Sequence, residues 1–265
     1  MTPPIILTIA GSDCSGGAGI QADIKTISAL KGYAASVITA ITAQNTLGIQ
    51  AVYPLPADIV ETQIKSVMDD LHPNAVKIGM VHDSSIVHAV SQCLQKYKPE
   101  VVIYDPVMIS TSGRRLMTEE TVQTIKDELF PLCTLITPNL DEASFLLNQT
   151  ITDIKTMENA ACQLSDNYQT SVLIKGGHLI GNEMCDILYS EGHIHRFKHQ
   201  KIESRNLHGT GCTLSSAIAT FLAKGKRLEE TVRQAKAYIN IAIDNGKELQ
   251  IGQGNGPLGH FTFEE

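Results

Sequence analysis

The sequence predicts an α/β protein with a central, mostly parallel sheet and helices on both faces. Short apolar segments rich in Ile and Val alternate with longer amphipathic segments along the 265 residues, which is typical of consecutive βαβ units. The short segments are apolar throughout rather than alternating, as expected for strands covered on both faces. Polar residues follow six of these segments directly, and ligands of open α/β sheets bind at the carboxyl ends of the strands.

The elements follow from these patterns in chain order. The predicted central strands span residues 5–10, 36–41, 75–80, 101–104, 134–137 and 171–175. Apolar residues at helical spacing predict helices at 19–30, 57–71, 84–97, 119–129 and 157–167. Two further strands, 185–190 and 193–198, are predicted to form an edge hairpin because Glu191 and Gly192 separate them. Helices at 210–223 and 228–248 end the pattern, and since no linker or composition change interrupts it, we predict one domain over residues 1–265.

Composition limits the classes of function. The formal net charge of −7 argues against nucleic-acid and acidic-membrane partners. No apolar run approaches the length of a membrane span. The six cysteines are scattered without metal-binding spacing, which favours reduced thiols and a cytoplasmic location over a disulfide framework.

A glycine-rich loop follows the first predicted strand. Residues 17–22 match the loose G-x-G-x-x-A dinucleotide pattern. The acidic residue expected about twenty positions later is missing, and Thr42, Gln44 and Asn45 occupy that region. The glycines therefore serve equally well as a tight turn against a helix. Asp23 lies early in the helix, free to cap it or face a ligand, and the Gln44 amide suits an aminopyrimidine or amide edge.

The segment from His208 to Cys212, at the start of a predicted helix, is the strongest candidate for an anion site. Gly209, Thr210 and Gly211 can direct backbone N–H groups outward, and a helix N-terminus attracts anions. No G-x-x-x-x-G-K-[ST] segment is present, so a P-loop is excluded. The side chains of Asp105, Asn139 and Glu142 offer the oxygen ligands that Mg²⁺ prefers, bound through waters. Lys175, at the end of an apolar strand, can supply the cation that phosphoryl transfer needs.

Cys212 is the predicted reactive residue. A thiolate is favoured in the first turn of a helix and would accept a proton from a substrate hydroxyl. His208, four residues earlier, also allows a Cys–His hydrolase, although that hypothesis leaves Asp105, Glu142 and Lys175 without a role. The cysteines at 93, 133, 162 and 185 are expected in the core.

These segments together resemble the hydroxymethylpyrimidine/phosphomethylpyrimidine kinases, a family of the ribokinase-like superfamily. The resemblance rests on motifs spread over essentially the whole chain. They are AGSDCSGGAGIQAD at 10–23, TAITAQN at 39–45, KIGM at 77–80, YDPVM at 104–108, ITPN at 136–139, KGGH at 175–178, HGTGCT at 208–213 and GNGP at 254–257. Cysteine stands at 212 where sugar kinases of the superfamily carry a catalytic aspartate.

The resemblance implies a ribokinase-like fold and two successive phosphorylations by ATP with Mg²⁺. The first would act on the hydroxymethyl group of 4-amino-5-hydroxymethyl-2-methylpyrimidine, and the second on the resulting monophosphate. By the same resemblance, Asp23 and Gln44 hold the pyrimidine, and Gly11, Met80 and Val107 line its pocket. Asn139, Glu142 and Lys175 bind the phosphates of Mg–ATP, and Asp105 supports the metal. Cys212 is the base or near-base, beside the amides of Gly209, Thr210 and Gly211. It also implies a homodimer and a flap at 109–113 over the phosphates.

Three alternatives remain open at this stage. Pyridoxal kinase is the nearest, because relatives with the same glycine loop and cysteine accept pyridoxal. Those relatives tend to carry a second cysteine in the flap, where this chain reads ISTSG. A sugar or nucleoside kinase fits less well, because Cys212 replaces the expected aspartate. A non-catalytic pyrimidine sensor on the same fold would not need Asp105, Glu142, Lys175 and Cys212 together.

Overall fold

Nine strands form one sheet in the computed structural model, which describes residues 2–108, 117–177 and 183–261. The strands, in chain order, are β1 (Ile5–Asp13), β2 (Tyr33–Asn45), β3 (Gly48–Pro54), β4 (Ala75–Ile78), β5 (Val102–Tyr104), β6 (Leu135–Ile136), β7 (Ser171–Ile174), β8 (Glu183–Ser190) and β9 (His193–Gln200). They lie side by side in the order β3-β2-β1-β4-β5-β6-β7-β8-β9. The six central strands β2, β1, β4, β5, β6 and β7 are parallel to one another. Strands β3, β8 and β9 pair antiparallel at the two edges.

Eight α-helices cover the sheet in the described part of the chain. They are α1 (Gly19–Ala29), α2 (Ala57–Asp70), α3 (Ser84–Tyr97), α4 (Glu119–Thr124), α5 (Leu140–Leu147), α6 (Ile154–Tyr168), α7 (Thr210–Leu222) and α8 (Leu228–Gly246). Side chains of α2 to α6 pack into one apolar cluster, and those of α1, α7 and α8 pack into a second. Successive strand residues point to opposite faces, so Leu7 joins the first cluster and Ile6 the second. The doubly covered parallel sheet predicted from the apolar strands is confirmed.

Two elements were not predicted. Strand β3 has mostly exposed or half-buried residues and forms a sheet edge, so it lacks the continuous apolar pattern of a central strand. Its pairing with β2 extends that strand beyond the predicted residue 41 to Asn45. Helix α5 has only eight residues, too few for a clear period, although Asn139 and Glu142 form a reciprocal capping box at its start.

One predicted helix differs in form. The segment predicted as helix 119–129 begins as α4, capped by Thr118, and continues through a π-helical turn at Ile125–Leu129. A 3₁₀ turn follows at Phe130–Leu132 and holds Pro131, whose ring cannot donate a helical hydrogen bond.

The strand order reverses beside β1. The chain proceeds from β1 to β2 on one side, then returns to β4 on the other and continues through β5, β6 and β7. Such a switch point leaves a crevice outside the carboxyl ends of the strands. The register of β1 against β2 also shifts between Ala10 and Ser12, and bulges of this kind occur beside active sites.

Candidate active site

A cavity of about 400 Å³ lies at the carboxyl ends of the parallel strands. Residues at or just beyond the carboxyl ends of six different strands line this cavity. They are Gly11, Ser12 and Asp13 on β1, Thr42 and Gln44 on β2, Met80 after β4, Asp105 and Val107 after β5, Asn139, Asp141 and Glu142 after β6, and Lys175 after β7. The cavity is also lined by Leu207, His208, Gly209, Thr210, Gly211 and Cys212, and by Ala10, Ala18, Gly19 and Ile49. All the predicted site residues except Asp23 line this cavity.

The anion loop, which we define as residues 208–212, is held by close packing against the glycine-rich loop. Gly209 has φ +88°, and a Cβ there would lie 1.9 Å from the Gly17 carbonyl oxygen, so only glycine fits. A Cβ on Gly17 would lie 2.3 Å from the His208 ring. The amides of Gly211 and Cys212 belong to the first turn of α7, where N–H groups have no carbonyl of their own helix to bind. The loop therefore presents backbone donors to the cavity.

A carboxylate and an ammonium group lie directly beside these amides. Lys175 Nζ donates to Asp105 Oδ1 at 2.6 Å, and Thr137 Oγ1 donates to the same oxygen at 2.9 Å. A Cβ built on Gly211 would lie 3.0 Å from Asp105 Oδ2 and 3.4 Å from Lys175 Nζ. Burial raises the pKa of Asp105, but Lys175 and Lys77 more than offset it and hold that pKa below its ordinary value. The site thus keeps a charged pair next to the anion loop.

Glu142 is nearly fully buried, and its carboxylate binds backbone rather than solvent. It accepts from the Asn139 amide at 2.8 Å and from the Met108 amide at 3.3 Å. Burial raises the pKa of Glu142 to about 7, with Lys175 acting in the opposite direction. A backbone bridge aligns Asn139 with Lys175. Glu142 therefore fixes the positions of Asn139 and of the segment after β5, as well as facing the cavity.

Cys212 lines the cavity, but burial keeps its thiol protonated. Desolvation raises the pKa of Cys212 to about 11, while Lys77 and the Gly19 amide act to lower it. The expectation that the helix N-terminus favours a thiolate is therefore not met, because burial outweighs the positive end of the helix. His208 Nε2 contacts Asp13 at 2.9 Å and Gln44 at 2.9 Å, so among the described residues the Cys–His pair of a thiol hydrolase does not form.

Asp23 lies behind the cavity rather than in it, contrary to the expectation that it holds the pyrimidine. Its side chain is 0% exposed and pairs with Lys77, also 0% exposed, at 2.9 Å. Thr8 Oγ1 donates to Asp23 Oδ2 at 2.5 Å, and Ser216 Oγ donates to Oδ1 at 2.7 Å. Since four donor contacts occupy the carboxylate, Asp23 cannot reach a ligand. It joins β1, β4, α1 and α7 beneath the anion loop.

Sequence reasoning missed Asp13 as the organising residue of the glycine-rich loop. Its carboxylate accepts from the amides of Gly17 and Ala18 and from Ser15 as well as from His208. Its place directly after an apolar strand, in a polar cluster, was the available sign. Thr42, Asp141 and Leu207 were also unassigned. The flap at 109–113 and His178 lie outside the described residues.

Comparison with known proteins identifies the family. The phosphomethylpyrimidine kinase family description matches residues 13–259. The chain is 48% identical to hydroxymethylpyrimidine/phosphomethylpyrimidine kinase of Rhizobium meliloti over 97% of both proteins. It is 43% identical to the thiamine biosynthesis bifunctional protein ThiED of Geobacter sulfurreducens, over 98% of this chain but 53% of that protein, so it spans about half the length of that relative.

The fold also matches solved structures. Pyridoxal kinase of Bacillus subtilis, solved as an ADP complex, superposes with a TM-score of 0.91 at 33% identity, covering 98% of each chain. The fold is ribokinase-like, as the sequence motifs implied. No helix in the described part of the chain is long and apolar enough to cross a membrane. The chain is a kinase of the phosphomethylpyrimidine kinase family.

Proposed function

We propose that the protein transfers a phosphoryl group from ATP to 4-amino-5-hydroxymethyl-2-methylpyrimidine, and then a second one to the monophosphate, in thiamine biosynthesis. One observation carries this proposal: a single cavity is lined both by an amide and apolar side chains and by an anion-binding group. Gln44, Met80 and Val107 line it together with the anion loop, and Asp105 and Lys175 lie beside Gly211 of that loop. A heteroaromatic alcohol and a transferred phosphate fit side by side in such a cavity.

The roles of the protein groups follow from their positions. The amides of Gly209, Gly211 and Cys212 stabilise the charge that develops on the transferred phosphoryl group. The Thr210 amide, also expected in this role, instead donates to the Leu207 carbonyl at 3.3 Å. Lys175 supplies the cation at the same point, and Asp105 orients it through their 2.6 Å contact. Asn139, held by Glu142 at the cap of α5, faces the nucleotide phosphates.

The oxygen ligands near Lys175 fit a magnesium ion bound mainly through water. Asp105 and Glu142 offer carboxylates of the kind that Mg²⁺ binds. No group of three or more metal-ligating side chains converges within the described residues, so a magnesium ion here would take its other ligands from water and phosphate oxygens. When bound with ATP, Mg²⁺ would neutralise phosphate charge.

Cys212 is proposed as the residue beside the reacting hydroxyl. With its pKa at about 11, only a small fraction of the thiol is ionised at neutral pH. Phosphoryl transfer proceeds through a loose transition state, so catalysis depends mainly on positioning and electrostatic stabilisation. Only the thiolate form of Cys212 can take up the hydroxyl proton, so this role uses the ionised fraction of the thiol, which grows with pH. The second transfer starts from a phosphate oxygen that already carries charge, so it should depend less on Cys212.

The test is purified protein with Mg–ATP, offered the pyrimidine, its monophosphate and pyridoxal in parallel, with ADP release and ³¹P NMR of the products. We expect turnover of the first two compounds. Pyridoxal kinase is a second candidate because the fold superposes on that enzyme with a TM-score of 0.91, and preferential turnover of pyridoxal would establish it. Binding of the pyrimidine without any turnover would support a sensor and overturn the kinase proposal.

The proposal includes a single catalytic domain, a cytoplasmic location and a homodimer. One sheet contains strands from the beginning to residue 200 of the chain, which supports one domain. The scattered spacing of the six cysteines favours reduced thiols and supports the cytoplasmic location. Ile41 and Tyr53, paired across β2 and β3, expose apolar side chains of the kind found in subunit contacts. Light scattering after gel filtration would test the dimer.

A further inference from the structure

A chain of three side chains links the glycine-rich loop to the amide that faces the substrate end of the cavity. His208 Nε2 lies 2.9 Å from Asp13 Oδ2 and 2.9 Å from the Gln44 side-chain nitrogen. The backbone of Gln44 is held separately, because the Cys14 thiol donates to its carbonyl at 3.1 Å and accepts from its amide at 3.3 Å. With the backbone fixed, the remaining freedom of Gln44 is the direction of its side-chain amide.

Hydrogen counting at His208 determines that direction. Asp13 accepts from three amides and a hydroxyl, so it is a carboxylate, and its pKa is lowered to about 2 by His208, Ser15 and Ala18 although burial raises it. A carboxylate only accepts hydrogen bonds. The facing Nε2 must therefore carry a proton. A protonated Nε2 has no lone pair left to accept a hydrogen bond, so the amide atom of Gln44 beside it cannot be the NH₂ donor; it is the oxygen, which shares the N–H with Asp13.

A second count, at Thr42, gives the same answer. Thr42 Oγ1 donates its single proton to the Ser12 carbonyl at 2.9 Å, and the other amide atom of Gln44 lies 3.4 Å from the same hydroxyl. Since the hydroxyl proton is already used, that amide atom must be the donor, which is the NH₂ group. Rotation of the amide by 180° places the oxygen toward His208 and the NH₂ group toward Thr42. That single rotation gives the Gln44 amide a matching hydrogen-bond partner at both His208 and Thr42.

We propose that Asp13 and His208 are positioning residues that fix the polarity of the Gln44 amide and thereby the orientation in which an aminopyrimidine ring binds. This inference rests on the proposed function. The edge of a 4-aminopyrimidine presents an amine donor next to a ring-nitrogen acceptor. The Gln44 oxygen accepts from the amine, and the NH₂ group donates to the ring nitrogen.

The polarity has a consequence for catalysis. With the Gln44 oxygen on the His208 side, the 4-amino group lies on that side, and the adjacent 5-hydroxymethyl group is directed the same way. His208 leads directly into Gly209 and the rest of the anion loop. The opposite polarity would place the 2-methyl group there. The Asp13–His208 pair therefore selects the ring orientation that brings the hydroxymethyl group toward the phosphoryl site.

The experiment compares two substrates on three proteins. The 4-oxo analogue of the pyrimidine presents the reverse edge, an N–H donor next to a carbonyl acceptor. His208→Gln retains an N–H donor at the position of Nε2, and His208→Met, of similar length, does not. We expect wild type and H208Q to prefer the 4-amino substrate about 100-fold or more in kcat/KM. In H208M the preference should fall at least tenfold, mainly through the KM of the 4-amino compound.

The possible outcomes test the positioning role of His208 and the proposed function separately. An unchanged preference in H208M, with both substrates slowed equally, would show a merely structural role and overturn the inference. Failure of wild type to phosphorylate the 4-amino compound would overturn the proposed function instead. Long-range ¹H–¹⁵N NMR of the wild-type protein tests the polarity without any variant. A protonated His208 Nε2 at pH 7 supports it, and a bare Nε2 contradicts it.

Discussion

Replacing Asp23 by Asn tests whether this residue supports the fold or touches the substrate. The change removes the charge that compensates Lys77, while both side chains are 0% exposed. Removal of one partner of a buried ion pair leaves an uncompensated charge and costs about 3–5 kcal/mol. For 265 residues, an unfolding entropy of ~2.1 cal/mol/K per residue converts this cost to a Tm decrease of roughly 5–9 °C.

The pH dependence of D23N adds a second criterion. In the wild type, burial lowers the pKa of Lys77, but Asp23 raises it above its ordinary value. Without Asp23, burial dominates and the pKa of folded Lys77 falls below that of the unfolded chain. The unfolded state then binds more protons over the interval between the two pKa values, so the stability of D23N should rise with pH there. The wild type should show no such rise from this group.

The assay is urea unfolding followed by far-UV circular dichroism, because the chain has no tryptophan. Asp70→Asn, at an exposed position on α2, is the matched control and should change the free energy of unfolding by less than about 0.5 kcal/mol. Asp23→Asn with Lys77→Met removes both charges and should recover most of the loss. The reasoning would be refuted by a D23N protein of wild-type stability whose KM for the pyrimidine rises tenfold or more, since that result requires direct contact with substrate.

Three further predictions concern the loops and the thiol. Gly211→Ala places a methyl group 3.0 Å from Asp105 Oδ2 and should lower kcat at least tenfold with a nearly unchanged Tm. Gly209→Ala, at φ +88° and 1.9 Å from a carbonyl oxygen, should lower the Tm markedly, and equal Tm values for the two variants would contradict this contrast. If Cys212 accepts the proton, kcat of the first transfer should rise with pH toward the thiol pKa of about 11. Cys212→Ala should lose most of the first-step turnover and this pH dependence while still binding the pyrimidine. Near-normal turnover of the variant would exclude Cys212 as the proton acceptor. The pKa of Asp13 is lowered to about 2, so this carboxylate should contribute about 2 kcal/mol of stability that is present above pH 4 and lost toward pH 2. Between pH 4 and pH 2 the free energy of unfolding should therefore fall less steeply in Asp13→Asn than in the wild type.

Much of the fold was predictable because its determinants are local or periodic. The central strands are continuous apolar runs, and burial on both faces requires that pattern. Gly209 marked the start of α7, since a tight turn needs glycine. Strand β3 escaped prediction because an edge strand is stabilised by pairing with β2 rather than by its own hydrophobicity.

The sequence by itself determined which residues end the strands and therefore which side chains share one rim. Gln44, Asp105, Lys175 and Cys212 line one cavity because the carboxyl ends of parallel strands and the following helix meet at one edge of the sheet. Tertiary structure alone decided which of the polar side chains are buried and which residues they contact. It paired Asp23 with Lys77 in the core, placed His208 against Asp13, and raised the pKa of Cys212. Desolvation and hydrogen-bond geometry depend on residues distant in sequence, and no local pattern encodes them.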